Sequence, residues 1–174
     1  MRGVLSLFLL TIGAFAMLIV EDNTGLTDAD SYISVDDALT YYEKYGGGDT
    51  FEVYSEEKKE QSLRNATRIV DGLIRWIGTK LVDGQALDWP RKQENNEGGF
   101  DTIEVPQAVK DAVCDIAELF LNDDITDARV IYEKYGDTAI RYSDPVSEGK
   151  FVQVKRRLLP YGAFKSTVVT TYRA

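Results

Sequence analysis

The chain has 174 residues, enough for one domain with a real core and short for two. Its formal net charge of -9, from 29 acidic against 20 basic residues, disfavours nonspecific binding of nucleic acid by the surface as a whole. Histidine is absent and cysteine occurs once, at Cys114, which removes the commonest general base and transition-metal ligand, any internal disulfide and every multi-cysteine metal motif.

Met1 to Ala16 carries a positive charge at Arg2, an apolar run from Val4 to Leu10 and Ala14-Phe15-Ala16, which reads either as a secretory signal or as an extended gene start ahead of Met17. Ser6, Thr11 and Gly13 interrupt it, so it is marginal as a membrane span. Glu21 to Asp30 is polar and turn-rich and predicts an extended arm or loop. Ser34 with Asp37 forms a helix-cap pattern, and Val35, Ala38, Leu39 and Tyr42 continue at helical spacing up to Gly46-Gly47-Gly48. Ser55 followed by Glu56 and Glu57 opens a second helix, where an accepting oxygen and acidic side chains suit the unpaired amides and positive dipole end. In that helix Leu63, Ala66, Ile69, Val70, Leu73, Ile74 and Ile77 fall within one arc at about 100° per residue. Arg64, Arg68 and Arg75, with Asp71 among them, lie opposite as a solvated charged face or a docking stripe for an acidic partner.

From Asp83 to Glu104 periodicity is lost, and Asn95-Asn96-Glu97-Gly98-Gly99 marks an exposed loop. At its start, Leu87-Asp88-Trp89-Pro90-Arg91 places a large ring before a proline, suited to pinning the loop to the helices or to meeting a partner. Pro106 sits where a first helical residue belongs, and Val109, Ala112, Val113, Ile116, Ala117 and Phe120 make a third amphipathic helix ending near Asn122. Cys114 at the edge of that arc reads as a small buried residue, and the lone thiol fits a reducing compartment or indifference to redox. Val130 to Tyr135 and Ala139 to Tyr142, joined by Gly136-Asp137, predict a β-hairpin that must lean on the helices or on a neighbouring chain. Phe151, Val154, Leu158 and Leu159 predict a short last helix stopped by Pro160, and the β-prone tail from Ser166 to Tyr172 could pair with another chain.

Catalytic chemistry has no visible foothold. Gly46-Gly47-Gly48 lacks the Lys-Ser/Thr of a phosphate loop, and Asp22 to Asp30 lacks the spacing of a calcium loop. Asp28, Asp30, Asp36 and Asp37 are explained by turn and helix-start preferences. The expectation is a protein that is not an enzyme and uses neither metal nor cofactor.

Several stretches carry a family resemblance: Met17-Leu18-Ile19-Val20-Glu21-Asp22 with Gly25-Leu26, Ala29-Asp30-Ser31-Tyr32-Ile33-Ser34, the helix from Ala66-Thr67-Arg68 to Trp76, Gln85-Ala86-Leu87-Asp88-Trp89-Pro90-Arg91, Val105-Pro106, Glu133-Lys134-Tyr135-Gly136 with Tyr142, and Leu158-Leu159-Pro160-Tyr161. From Met17 onward the chain resembles the small phage proteins known as DnaT-like single-stranded-DNA-binding proteins, and these in turn resemble the head-tail connector, or adaptor, proteins of long-tailed phages. The resemblance starting at Met17 also favours the extended-start reading of residues 1–16. It implies a mainly α fold, a small helical bundle with one β-hairpin and extended N- and C-terminal arms, divided as a 1–16 extension, a 17–160 connector domain and a 161–174 arm. The function it implies is a structural connector in the virion neck, assembled in the host cytoplasm as a twelve-fold homo-oligomeric ring. That ring would bind the portal protein and a head-completion or tail-terminator protein, and double-stranded DNA would pass through an acidic lumen that repels it. Portal contacts would fall on Tyr161, Phe164, Val168, Val169, Tyr172 and Arg173, and subunit contacts on Trp89, Arg91, Arg64, Arg68, Arg75, Tyr132 and Tyr142. The alternative it implies is single-stranded DNA binding in phage replication, which physically requires aromatic stacking beside cations. The net charge, and the position of Tyr41, Tyr42 and Tyr45 beside Glu43, count against that alternative.

Overall fold

Serine side chains open the first two long helices. The computed structural model describes residues 17–94, 100–122 and 145–165. Ser34 Oγ accepts from the Asp37 amide at 3.1 Å and donates to its carboxylate at 2.8 Å, starting α1 (Val35–Tyr45), which stops at Gly46 with φ of 96°. A short helix that the sequence did not announce, α2 (Gly48–Glu52), then lays Phe51 against Tyr42, ring centroids 4.7 Å apart. Ser55 Oγ accepts from Lys58 N and opens α3 (Glu56–Leu73). Pro106 is the residue just outside α4 (Gln107–Leu121), not its first turn. The last helix, α5 (Pro145–Leu158), begins earlier than its apolar spacing suggested and passes into a 3-10 turn at Leu159–Tyr161. Helices α3 and α5 both pack on α4, and their buried stripes meet at Leu63, Val70, Val109, Val113, Ile116, Val154 and Leu158. Each such side chain withdrawn from water contributes about 1.5–3 kcal/mol.

The arc of α3 does not run on to Ile77. The helix ends at Leu73, and Ile74–Trp76 forms strand β1, paired antiparallel with a strand, Gly162–Phe164, at the other end of the fold. Ile74 faces Phe164, Arg75 faces Ala163 and Trp76 faces Gly162, while Ile77 is left 48% exposed. The register is sterically fixed, because a Cβ on Gly162 would lie 2.5 Å from Ile74 Cγ2 and 2.6 Å from the Arg75 carbonyl oxygen. A second sheet joins β2 (Thr79–Lys80), β3 (Arg91–Glu94) and β4 (Phe100–Ile103), all antiparallel, the last two within the stretch from Asp83 to Glu104 where the sequence predicted only a loop. Numbered in chain order, Gly162–Phe164 is β5. About half of the described residues are helical, in five α-helices with two small sheets, so the fold is mixed α/β and not a mainly α bundle. The hairpin expected at Val130 to Tyr142 lies outside the described residues, as do residues 1–16 and the tail from Ser166.

The predicted N-terminal arm is a folded loop. Val20 bridges to Ser31, and the buried Glu21 carboxylate accepts from the amides of Gly25 (2.8 Å) and Leu26 (2.9 Å). The loop is tied outward by Ala86 N donating to Leu26 O at 2.8 Å and Val105 N donating to Asn23 Oδ1 at 2.8 Å. A polar stretch without periodicity can therefore be ordered by side chains that occupy its own backbone donors.

Beside this loop, the fully buried Tyr32 sends its hydroxyl to Asp71 at 2.6 Å from Oδ1 and 2.8 Å from Oδ2. The same hydroxyl accepts from Asp88 N (3.0 Å) and Trp89 N (3.1 Å), and Asp88 N also reaches Asp71 Oδ2 at 3.1 Å. Asp71 is thus no member of an outer charged face. Trp89, whose bond to Pro90 is cis, is 2% exposed and meets Trp76 and Tyr161 edge to face at 5.5 and 6.2 Å. Arg91 closes the assembly, its guanidinium donating to the carbonyls of Ile77 (2.7 Å), Gly78 (2.6 Å) and Asp88 (2.8 Å).

Desolvation pushes the Asp71 carboxyl up to about 7, against the pull of its hydrogen bonds from Tyr32. The folded state then holds a proton that the unfolded chain releases near the ordinary carboxylate value of 3.8. Stability from this group is fully present below that value and is lost as pH rises through about 7. Urea denaturation between pH 4 and pH 8 is expected to show a loss on the order of 1–4 kcal/mol. In Asp71→Asn the slope should flatten; an unchanged slope would show that another group carries it. Gly162→Ala is expected to lower stability by about 1–3 kcal/mol through overpacking against β1. An unchanged urea midpoint in that variant would mean that β5 does not seat on β1 in solution.

Candidate functional site

Helix α1 presents Asp37, Thr40, Tyr41, Lys44 and Tyr45 at i, i+3, i+4, i+7 and i+8, which is one helical face. The first turns of α4 present Gln107, Lys110 and Asp111 by the same spacing. These two faces, with Ile33, line an open groove of about 310 Å³.

The groove is aromatic on one wall. Tyr41 and Tyr45 have ring centroids 4.8 Å apart at 46°, and Lys44 Nζ lies 5.2 Å from the Tyr45 ring centre. Tyr45 is 62% exposed. Tyr41 is held by its hydroxyl, which donates to Asp115 Oδ1 at 2.6 Å, while Arg157 Nη1 donates to Asp115 Oδ2 at 2.7 Å. Burial and the adjacent Asp115 carboxylate keep the Tyr41 hydroxyl protonated well above the ordinary phenol range. A ring fixed in this way loses little further freedom when something stacks on it. Gln107 Nε2 donates to Asp111 Oδ1 at 2.9 Å, leaving amide and carboxylate groups at the groove edge that can read polar edges.

Tyr42, next in sequence, belongs to the core: its hydroxyl donates to the Cys114 carbonyl at 2.7 Å. The Cys114 thiol is itself buried, and burial raises its pKa far beyond the reactive range, in line with a packing role. Among the described residues, no group of three or more cysteine or acidic side chains could hold a metal ion, and no helix is long and apolar enough to cross a membrane.

The residues singled out from sequence do not converge on this groove. Trp89 and Arg91 are buried inside the fold. Arg64 is half-buried between Asp30 (3.2 Å) and Glu60 (3.1 Å), while Arg68 and Arg75 are exposed. Tyr161 packs on Trp89, and Phe164 lies under the Lys155 ammonium at 5.6 Å. Tyr132, Tyr142, Val168, Val169, Tyr172 and Arg173 lie outside the described residues. The groove itself was missed because Glu43, the linear neighbour, is not part of its lining, whereas Lys110 arrives from a distant helix. The one available signal was the four-residue spacing of Tyr41 and Tyr45.

A family model described as "Putative DnaT-like ssDNA binding protein" matches residues 16–174. No curated protein and no solved structure matches the chain. The match overturns the expectation of a head-tail connector and supports the alternative, since the family spanning nearly the whole chain is described by single-stranded DNA binding. The extended arms that the resemblance implied are also absent where the structure describes them: residues 20–31 and 161–164 find partners within the chain. The chain belongs to the family of DnaT-like single-stranded-DNA-binding proteins.

Proposed function

We propose that the protein binds single-stranded DNA, taking a base on Tyr45 and Tyr41 and the adjoining phosphates on Lys44 and Lys110. The observation that carries this reading is the exposed Tyr45 beside the half-buried Tyr41, with a lysine from each helix in one groove, within a chain of this family. Stacking on an aromatic ring tolerates any base, because every base has a π-face, and lysine supplies a compact charge to phosphate. Such binding needs no bond to be broken and no cofactor. The replication role implied by the sequence resemblance belongs to the same proposal.

The net charge of -9 does not oppose this as strongly as it first suggests. At physiological salt, exposed charges are screened beyond about 8 Å, so distant carboxylates act weakly on a phosphate seated at Lys44. Asp37 and Asp111 do line the groove and offset the two lysines. Affinity then rests chiefly on stacking, with a shallow dependence on salt.

Fluorescence anisotropy with a labelled oligothymidylate tests this. Tyr45→Ala changes an exposed helix position and is expected to preserve the fold. It should weaken binding by about 1–3 kcal/mol, or roughly 5- to 150-fold. Lys44→Gln and Lys110→Gln should each reduce the log–log salt slope by about 0.7. Binding that survives all three substitutions unchanged would place the DNA elsewhere, and no binding at physiological salt would end the proposal.

A further inference from the structure

Behind Tyr41 the groove connects to the end of another helix. Arg157 reaches Asp115 beside Tyr41, which brings the C-terminal end of α5 against the groove. The two preceding residues, Lys155 and Arg156, are exposed. At about 100° per residue Lys155 lies nearly across α5 from Arg157, with Arg156 on the ridge between them. Lys155 in turn covers the Phe164 ring on β5. On the β1–β5 ribbon, Arg75 and its register partner Ala163 both face solvent, and the exposed Lys165 follows directly. Lys165 Nζ donates to the main-chain oxygen of Asp71, whose carboxylate is turned inward to Tyr32. Arg75, Arg156 and Lys165 pair with no carboxylate among the described residues.

We infer that this surface is a second contact zone for the same strand: the DNA leaves the tyrosine groove, crosses the α5 ridge at Arg156 and lays its phosphates along Arg75 and Lys165. The inference rests on the reading of the groove as a DNA site. The two zones differ in kind. The groove combines rings, amide and carboxylate groups around two lysines, which suits one stacked nucleotide. The solvent face of the ribbon sets Arg75 and Lys165 beside the small Ala163, which suits a sugar-phosphate backbone passing over it. It would therefore add length-dependent, salt-sensitive affinity without base preference.

The test compares short oligothymidylates of about 4 nucleotides with long ones of about 16, across a salt series. The triple variant Arg75→Gln, Arg156→Gln, Lys165→Gln changes exposed residues outside the groove lining. Short oligonucleotides are expected to bind it as they bind the wild type. Long ones should bind more weakly, with a log–log salt slope smaller by about 2, from about 0.7 per phosphate contact. The matched Arg75→Lys, Arg156→Lys variant keeps the charge and should retain the wild-type slope, separating lost phosphate contacts from a damaged fold. Unchanged affinity and slope for long oligonucleotides, with Tyr45→Ala still impairing binding, would overturn the second zone and leave the groove standing. Equal losses for short and long oligonucleotides would also overturn it. Failure of the wild type to bind either length would remove the groove reading and this inference together.

Discussion

The fold depends on the partnering of one hydroxyl. Tyr32 places its oxygen where a carboxylate and two backbone amides converge, joining the N-terminal loop, α3 and the Trp89 turn through a single atom. A buried hydroxyl or carboxylate without partners would cost several kcal/mol, so the three segments must arrive together or not at all. This accounts for the Trp-Pro-Arg element in structural terms. Its amides meet Tyr32, its ring meets Trp76 and Tyr161, and its arginine satisfies three carbonyls that have left regular pairing. Among the described residues neither indole N–H of Trp76 and Trp89 has a hydrogen-bond acceptor, so these rings are held by burial and edge-to-face contact.

Local chemistry was legible where it was also sufficient. Ser34 with Asp37, Ser55 with its acidic first turn, and the apolar spacing of α4 each specify their element from within a few residues, and each forms as read. The end of α3 was not legible, because Ile74 and Ile77 continue the helical arc as well as they begin a strand. What decides between them is Gly162–Phe164, far away in sequence, which offers β1 an edge close enough only because residue 162 has no side chain. The β3–β4 hairpin was hidden for a related reason. Arg91-Lys92-Gln93-Glu94 has no alternating apolar pattern, and its pairing follows from Arg91 being anchored beneath the Trp89 turn.

The groove shows the same division between linear and spatial neighbourhood. In sequence the tyrosines adjoin Glu43 and the molecule is acidic. In space Tyr45 adjoins Lys44 and faces a wall that includes Lys110, while Glu43 is directed toward Gly48 at the start of α2. Net charge describes the long-range field, whereas a ligand seated in a groove responds to what lies within a Debye length.

The antiparallel match of residue 74 with residue 164 also constrains how the protein comes into being. On the ribosome, α3 and the Trp89 turn are made well before the segment that covers them, so Trp76 stays uncapped on the nascent chain until Gly162–Phe164 has followed. The core can be sealed only as the closing strand appears, which makes final folding a late, long-range event and leaves an aromatic surface open to chaperones until then.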